Sequence, residues 1–204
     1  MKQDQQEQAI LFAKVVVSLR NHEPELWRSH FRSALTSGVT SAELYEAILQ
    51  SYLFFGYPSG IEGLRTLSEV VGTDFRHDSE SWSDSTALWK LRGVETCQKV
   101  YRNHFETLVT RLREITPDLT ESMIYEGYGK IIGRPGLSLP LREFLIAAML
   151  ATGSFSKQFE AHLYGCHHVG TPKEWMIEWF NSEFAQMSLS AQPIWQKFYR
   201  KVMT

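Results

Sequence analysis

Residues 133–170 read GRPGLSLPLREFLIAAMLATGSFSKQFEAHLYGCHHVG, and the rest of the chain is read outward from them. A Gly/Pro loop runs into a long apolar segment, and a dense cluster of groups able to do chemistry follows it. Ser138 suits an N-cap, Pro140 suits a first helical turn, and Gly165 and Gly170 are stop candidates. Phe144, Leu145, Ala147, Ala148, Met149 and Ala151 run almost all round this helix, which predicts a buried central element. Gly153 and Ser154 predict an interruption. A second helix then carries Gln158 and His162, four residues apart and so on one face.

On the N-terminal side, residues 5–19 and 25–35 carry apolar residues at helical spacing, with Asn21 and Pro24 between them and Gly38 after them. Thr40 and Glu43 have the spacing of a capping box, and the helix they open runs to Phe55. Residues 56–60, GYPSG, predict a break, and residues 61–71 a further helix. Residues 72–85, GTDFRHDSESWSDS, are acidic, Ser-rich and aperiodic, and read as a linker. Helical period returns over residues 85–112, 123–130, 173–180 and 193–203. Strand signals are few, so the chain reads as all-α, with about nine to eleven helices.

Composition narrows the classes. The 204 residues are 43% hydrophobic and 22% charged, the balance of an ordinary globular protein. A net charge of −2 points to no nucleic acid and no anionic membrane as partner. No apolar run is long and clean enough to span a bilayer. The polar start, MKQDQQEQ, lacks the layout of a signal peptide, so the expected location is cytoplasmic. The two cysteines, Cys97 and Cys166, are too few for a disulfide framework and form no CxxC motif. The 6 Trp suit a sizeable core or an apolar subunit interface.

The chain also resembles itself. His30 precedes Gly38 by eight residues, and His162 precedes Gly170 by eight; each Gly leads into a Thr and a helix start carrying a Glu, Glu43 or Glu174. Both histidines follow an apolar helix. The two halves therefore read as copies of one helical unit, packed as an intramolecular pseudo-dimer. Residues 1–71 form the first copy, 72–85 the linker, and 86–204 the connecting helices and the second copy. At that offset Glu143 corresponds to Leu11, Gln158 to Leu26 and His162 to His30. The first copy keeps a histidine, read as structural, without the carboxylate and the amide, so a site belongs mainly to the second.

Three segments carry a further likeness: SALTSGVTSAELYEAILQSYLFFGYPSG (33–60), LRGVETCQKVY (91–101) and EGYGKIIGRPGLSLPLREFLIAAMLATGSFSKQFEAHLYGCHHVGTPKEW (126–175). In this ordered set the chain resembles the carboxymuconolactone decarboxylase family, which shares its fold with alkylhydroperoxidase-D-like proteins. The resemblance implies a long form with two fused repeats and a homo-oligomer, a dimer or trimer of fused chains. Redox members of that superfamily carry a Glu, a Cys twelve residues on, a second Cys three further and a His four beyond. Here those positions hold Glu143, Phe155, Gln158 and His162. Thiol peroxidase chemistry needs an activated thiolate and a resolving thiol, which Phe155 and Gln158 cannot supply. The decarboxylase branch fits better.

That branch implies a lyase without metal or organic cofactor, acting on a small carboxylated lactone or a related acid of aromatic catabolism. His162 is the candidate proton donor, because imidazole titrates near neutral pH. Glu143 would orient it, Gln158 would donate to the lactone oxygen, and Arg134 would clamp a carboxylate. Each has a plainer reading: a core histidine, a carboxylate at a helix N-terminus, a surface amide, a loop tie. His162 and Cys166, with His167 or His168, also have zinc-like spacing, but no second half of such a site is evident. Two other functions stay open. One is a hydroperoxide-reducing protein using Cys166 alone; the other is an oligomeric small-ligand-binding scaffold without turnover.

Overall fold

The computed structural model describes residues 2–75, 77 and 86–203, and every regular element among them is helical. The linker expected over residues 72–85 lies for the most part outside the described residues; within them, Gly72–Asp74 form a short 3-10 turn and His77 stacks on Tyr45 at 4.4 Å.

The N-terminal helices are α1 (Lys2–Ser18), α2 (Pro24–Thr36) and α3 (Ser41–Val71). The capping box forms: Glu43 N–H donates to Thr40 Oγ1 at 3.2 Å and Thr40 N–H to Glu43 Oε2 at 2.9 Å. The expected five-residue break after Phe55 shrinks to one residue. Gly56 alone leaves helical space, with φ 85°, and Pro58 falls in the first turn of the restarted helix, where its missing N–H costs nothing.

The helical period over residues 85–112 resolves into two helices, α4 (Thr86–Tyr101) and α5 (Phe105–Ile115). They are separated at Arg102, whose φ is 48°, and its guanidinium ties the corner to the His168 carbonyl at 2.5 Å. The turn lets Phe105 and Val109 bury. After α6 (Pro117–Ser122) comes a wide π-helical stretch, Met123–Ile132. α4 crosses this π stretch with backbones almost touching. A Cβ on Gly93 would lie 2.0 Å from the Ile124 carbonyl oxygen, and one on Gly129 2.0 Å from that of Trp89. Only glycine fits at either position.

The decisive stretch folds as α7 (Leu139–Ala151) and α8 (Ser156–Val169). Ser138 caps α7, accepting from Leu141 N–H at 3.4 Å, and Pro140 sits in its first turn. Every residue from Arg142 to Ala151 is buried, and α7 packs against α1, α3, α8 and α9 (Lys173–Ser182). Gly170 closes α8 in the left-handed conformation. Gly165, the other stop candidate, lies inside α8, because its missing side chain makes room for Glu143: a Cβ there would sit 2.4 Å from Glu143 Oε2. α10 (Gln192–Phe198) and a π-helical end, Tyr199–Met203, complete the chain.

An offset of 132 residues, the separation of Arg20 from Thr152, matches several positions in the two ends of the chain. It carries Pro24 onto Ser156, the two starts of α2 and α8, and Ser41 onto Lys173, the two starts of α3 and α9. Phe12 and Phe144, Trp27 and Phe159, Phe31 and Leu163, Ile48 and Phe180 are all buried at related positions. α1 packs directly on α7, and Arg20 donates to the Thr152 carbonyl across that contact. No helix among the described residues is long and apolar enough to cross a membrane.

Candidate active site

Glu143 on α7 and His162 on α8 face one another. Nδ1 of His162 lies 2.8 Å from Glu143 Oε2. Glu143 is completely buried, and its other oxygen, Oε1, makes no hydrogen bond. A buried carboxylate oxygen without a donor costs roughly 1–3 kcal/mol or more, so the fold carries a penalty at this position. A carboxylate has no hydrogen to give, so Nδ1 is the donor. That leaves Nε2 of the neutral ring as the basic nitrogen.

His162 forms part of the wall of a cavity of about 300 Å³. Leu53 and Phe54 of α3, Tyr101 of α4, and Glu126 and Tyr128 of the π stretch line it, with Gln158 and His162 from α8. Gln158 and His162, read from their spacing as sharing one helix face, both line this cavity, which spacing alone does not establish. The rings of Tyr101 and Phe54 lie edge-on to the imidazole, with centroids 6.3 and 6.4 Å away. The hydroxyls of Tyr101 and Tyr128 share a hydrogen bond of 2.6 Å. Burial first, and the nearby Glu143 as well, push both phenols up from their ordinary range. They remain O–H donors at any physiological pH. Glu126 accepts from the hydroxyls of Tyr52 at 2.9 Å and Tyr57 at 3.1 Å.

Arg134 is elsewhere. Its guanidinium lies 2.9 Å from Glu46 Oε1 and lines a different cavity. Glu46 is shared with Arg142, which is wholly buried and donates to Glu46 Oε2 at 2.7 Å and to the carbonyls of Arg134 and Pro135. Glu46 on α3 therefore holds both arginines, and Arg134 does not line the His162 cavity.

The thiols are also accounted for. Cys97 and Cys166 are fully buried, and burial first, then Glu143, pushes both thiols up. This is the reverse of an activated cysteine. Phe155, at the first cysteine position of the redox pattern, is exposed. The zinc-like spacing does not assemble a site. His162 turns to Glu143, while His168 places Nδ1 2.7 Å from the Val100 carbonyl. Among the described residues, no three or more His, Cys, Asp or Glu side chains group so as to hold a metal ion.

No protein-family profile and no curated protein sequence matches this chain. Its chemistry must therefore be argued from the geometry. The sequence reading missed Tyr101, Tyr128 and Glu126. The tyrosines meet only because Gly93 and Gly129 let α4 and the π stretch cross closely, a consequence invisible to local periodicity. The arrangement holds an imidazole whose orientation is fixed by a buried carboxylate, beside a hydrogen-bonded pair of neutral phenols with one O–H left to donate. It is equipped for proton transfer to or from a small bound molecule.

Proposed function

We propose that the protein is an acid–base enzyme of the carboxymuconolactone decarboxylase type, a lyase acting on a small unsaturated lactone acid or a related acid of aromatic catabolism. The observation that carries this reading is the 2.8 Å contact between Glu143 and His162 at the wall of a cavity the size of one ring. In the reaction, the bond to the carboxylate carbon breaks and CO2 leaves. The electron pair moves into the conjugated lactone as a dienolate, and protonated His162 delivers its Nε2 proton to carbon. Glu143 stabilises the imidazolium beforehand and holds the ring in place. The Tyr101–Tyr128 pair and the Gln158 amide supply donors for the enolate oxygen.

The charge pattern favours loss of a carboxylate. Among the described residues no Lys or Arg lines this cavity, and Glu126 does. A substrate carboxylate there has only the His162 imidazolium, already paired with Glu143, as a cationic neighbour and lies near a like charge; its departure as neutral CO2 relieves that repulsion. The related element starts and buried positions at the 132-residue offset support two fused copies, residues 1–71 and 86–204, in an alkylhydroperoxidase-D-like pseudo-dimer. Exposed Ile61, Leu91, Ile115, Leu119 and Phe155 support a homo-oligomer, a dimer or trimer of fused chains. The buried, protonated Cys166 does not support the peroxidase alternative.

The test is proton NMR of 4-carboxymuconolactone with the purified protein beside its His162→Ala variant. The expected result is the decarboxylated enol-lactone with wild type, slowed by about 10²–10⁴ in the variant. Equal rates would remove His162 from the mechanism, and no product with wild type would remove this substrate class.

A further inference from the structure

A cavity of about 310 Å³ opens where three helix ends meet. Lys99 in the last turn of α4, Arg102 at the corner after it, Leu139 at the start of α7, and His168 and Val169 at the end of α8 line it. It shares no lining residue with the His162 cavity. Among the described residues no Asp or Glu lines it.

Basic residues at helix C-termini have a plain reading, because each such end carries roughly half a negative charge. Here that demand is met and exceeded. The exposed carbonyls are taken: His168 Nδ1 donates to Val100 at 2.7 Å, and the Arg102 guanidinium to His168 at 2.5 Å. Lys99 and Arg102 then bring two full positive charges against two half charges, and the start of α7 adds to them. Among the described residues neither Lys99 nor Arg102 pairs with a carboxylate; Glu95 and Glu106, each about one helical turn away in the chain, pair with neither. His167, whose ring lies 6.1 Å from that of His168, senses the same surplus. Its pKa is lowered first by burial and then by His168, Arg102 and Lys173.

Arg102 also stands in an unusual backbone conformation. Among the described residues it is the one non-glycine with a positive φ, 48°. Glycine would fit that corner without steric cost, so what arginine adds there is its guanidinium. One donor is used on the His168 carbonyl, and a guanidinium has five. His168 spends Nδ1 on Val100, which leaves Nε2 for a ligand. That nitrogen accepts from a phosphate hydroxyl or, once protonated, donates to a phosphate oxygen. We infer that this cavity binds the phosphate group of a small soluble phosphate monoester, held by Lys99, Arg102 and His168 Nε2. Three separate partners suit the three terminal oxygens of a phosphate, where a carboxylate offers two. Its charge answers the two cations. The site is independent of the proton chemistry proposed at His162.

The probe is glycerol 3-phosphate, titrated into the full chain by calorimetry at low salt, with sodium sulfate, sodium acetate and phosphatidic acid vesicles run beside it. Saturable one-to-one binding is expected, with a Kd on the order of 1 mM. It should weaken by about tenfold in Lys99→Gln, an exposed position. It should be lost in Arg102→Gly, which keeps the corner because glycine accepts its φ, and persist in His162→Gln. No saturation up to about 20 mM, or unchanged binding in both Lys99→Gln and Arg102→Gly, would overturn the site. Equal binding of acetate would reduce it to simple charge attraction, and equal binding of sulfate, which has no proton to share with His168, would overturn the assignment to phosphate. Binding to the vesicles without binding to glycerol 3-phosphate would overturn the soluble ligand. Loss in His162→Gln with retention in Arg102→Gly would place the phosphate in the His162 cavity and overturn the assignment.

Discussion

Two histidines at related positions, His30 and His162, have different fates. Each lies on a helix packed against a buried apolar helix. At the position related to Glu143 the first half has Leu11, and at those related to Gly165 and Cys166 it has Ser33 and Ala34. His30 is half-buried, with its pKa lowered first by burial and then by Lys14. His162 has a carboxylate partner at 2.8 Å. The surroundings differ as much as the partners. Ser33 is exposed, whereas Gly165 is buried beneath α4, where a Cβ would also sit 3.0 Å from Val100. The His162 region differs from the His30 region in its second layer: α4 and the π stretch roof it and add Tyr101 and Tyr128.

Replacing second-half residues by their first-half counterparts breaks this comparison in graded steps. Glu143→Leu has the largest effect on chemistry. Turnover should fall by about 10²–10⁴, while stability should change by only about 1 kcal/mol in either direction, because relief of the unpaired carboxylate oxygen and loss of the His162 Nδ1 partner oppose one another. Parallel rate and denaturant measurements check this; a loss of stability matching the loss of rate would make Glu143 structural. Arg142→Ile has the largest effect on folding. It removes one of two partners of buried Glu46 and leaves the Arg134 and Pro135 carbonyls without their donor, at a cost of about 3–5 kcal/mol in urea unfolding.

Gly165→Ser introduces an atom where Glu143 Oε2 already sits. About 1–3 kcal/mol of destabilisation is expected, together with a rate loss from the displaced carboxylate. Stability and rate unchanged would show that α8 shifts freely. Cys166→Ala is the mildest, at about 1 kcal/mol or less with turnover kept. It carries a pH signature. Cys97, Cys166, Tyr101 and Tyr128 all have pKa values raised on folding. A raised acid contributes stability that is present below its unfolded pKa and lost as pH rises toward the folded value. Stability should therefore fall above pH about 9, less steeply in Cys166→Ala, and native thiols should resist labelling there. Fast labelling of native Cys166 would reopen the thiol reading.

Much of this was legible from local signals. The capping box at Thr40 and Glu43, the Ser138 cap, the break near Gly153 and the one-face placement of Gln158 and His162 depend on spacing alone, and all appear in the structure. Errors arose where tertiary contact decides. Gly165 reads as a stop but is a close-packing residue; the helical period over residues 85–112 gives no sign of the corner at Arg102; Arg134 reads as a clamp for the His162 site but answers Glu46, a partner 88 positions earlier in the chain. Tyr101 and Tyr128 carry no local mark, because their meeting depends on a glycine-to-glycine crossing.

The central claim is that Glu143 fixes the His162 ring so that Nε2 does the chemistry. Long-range nitrogen–proton NMR of the neutral protein tests it without any substrate. His162 should show a protonated Nδ1 and an unprotonated Nε2, and Glu143→Leu should release that preference. A proton on Nε2 in the wild type, or the same tautomer in Glu143→Leu, would contradict it.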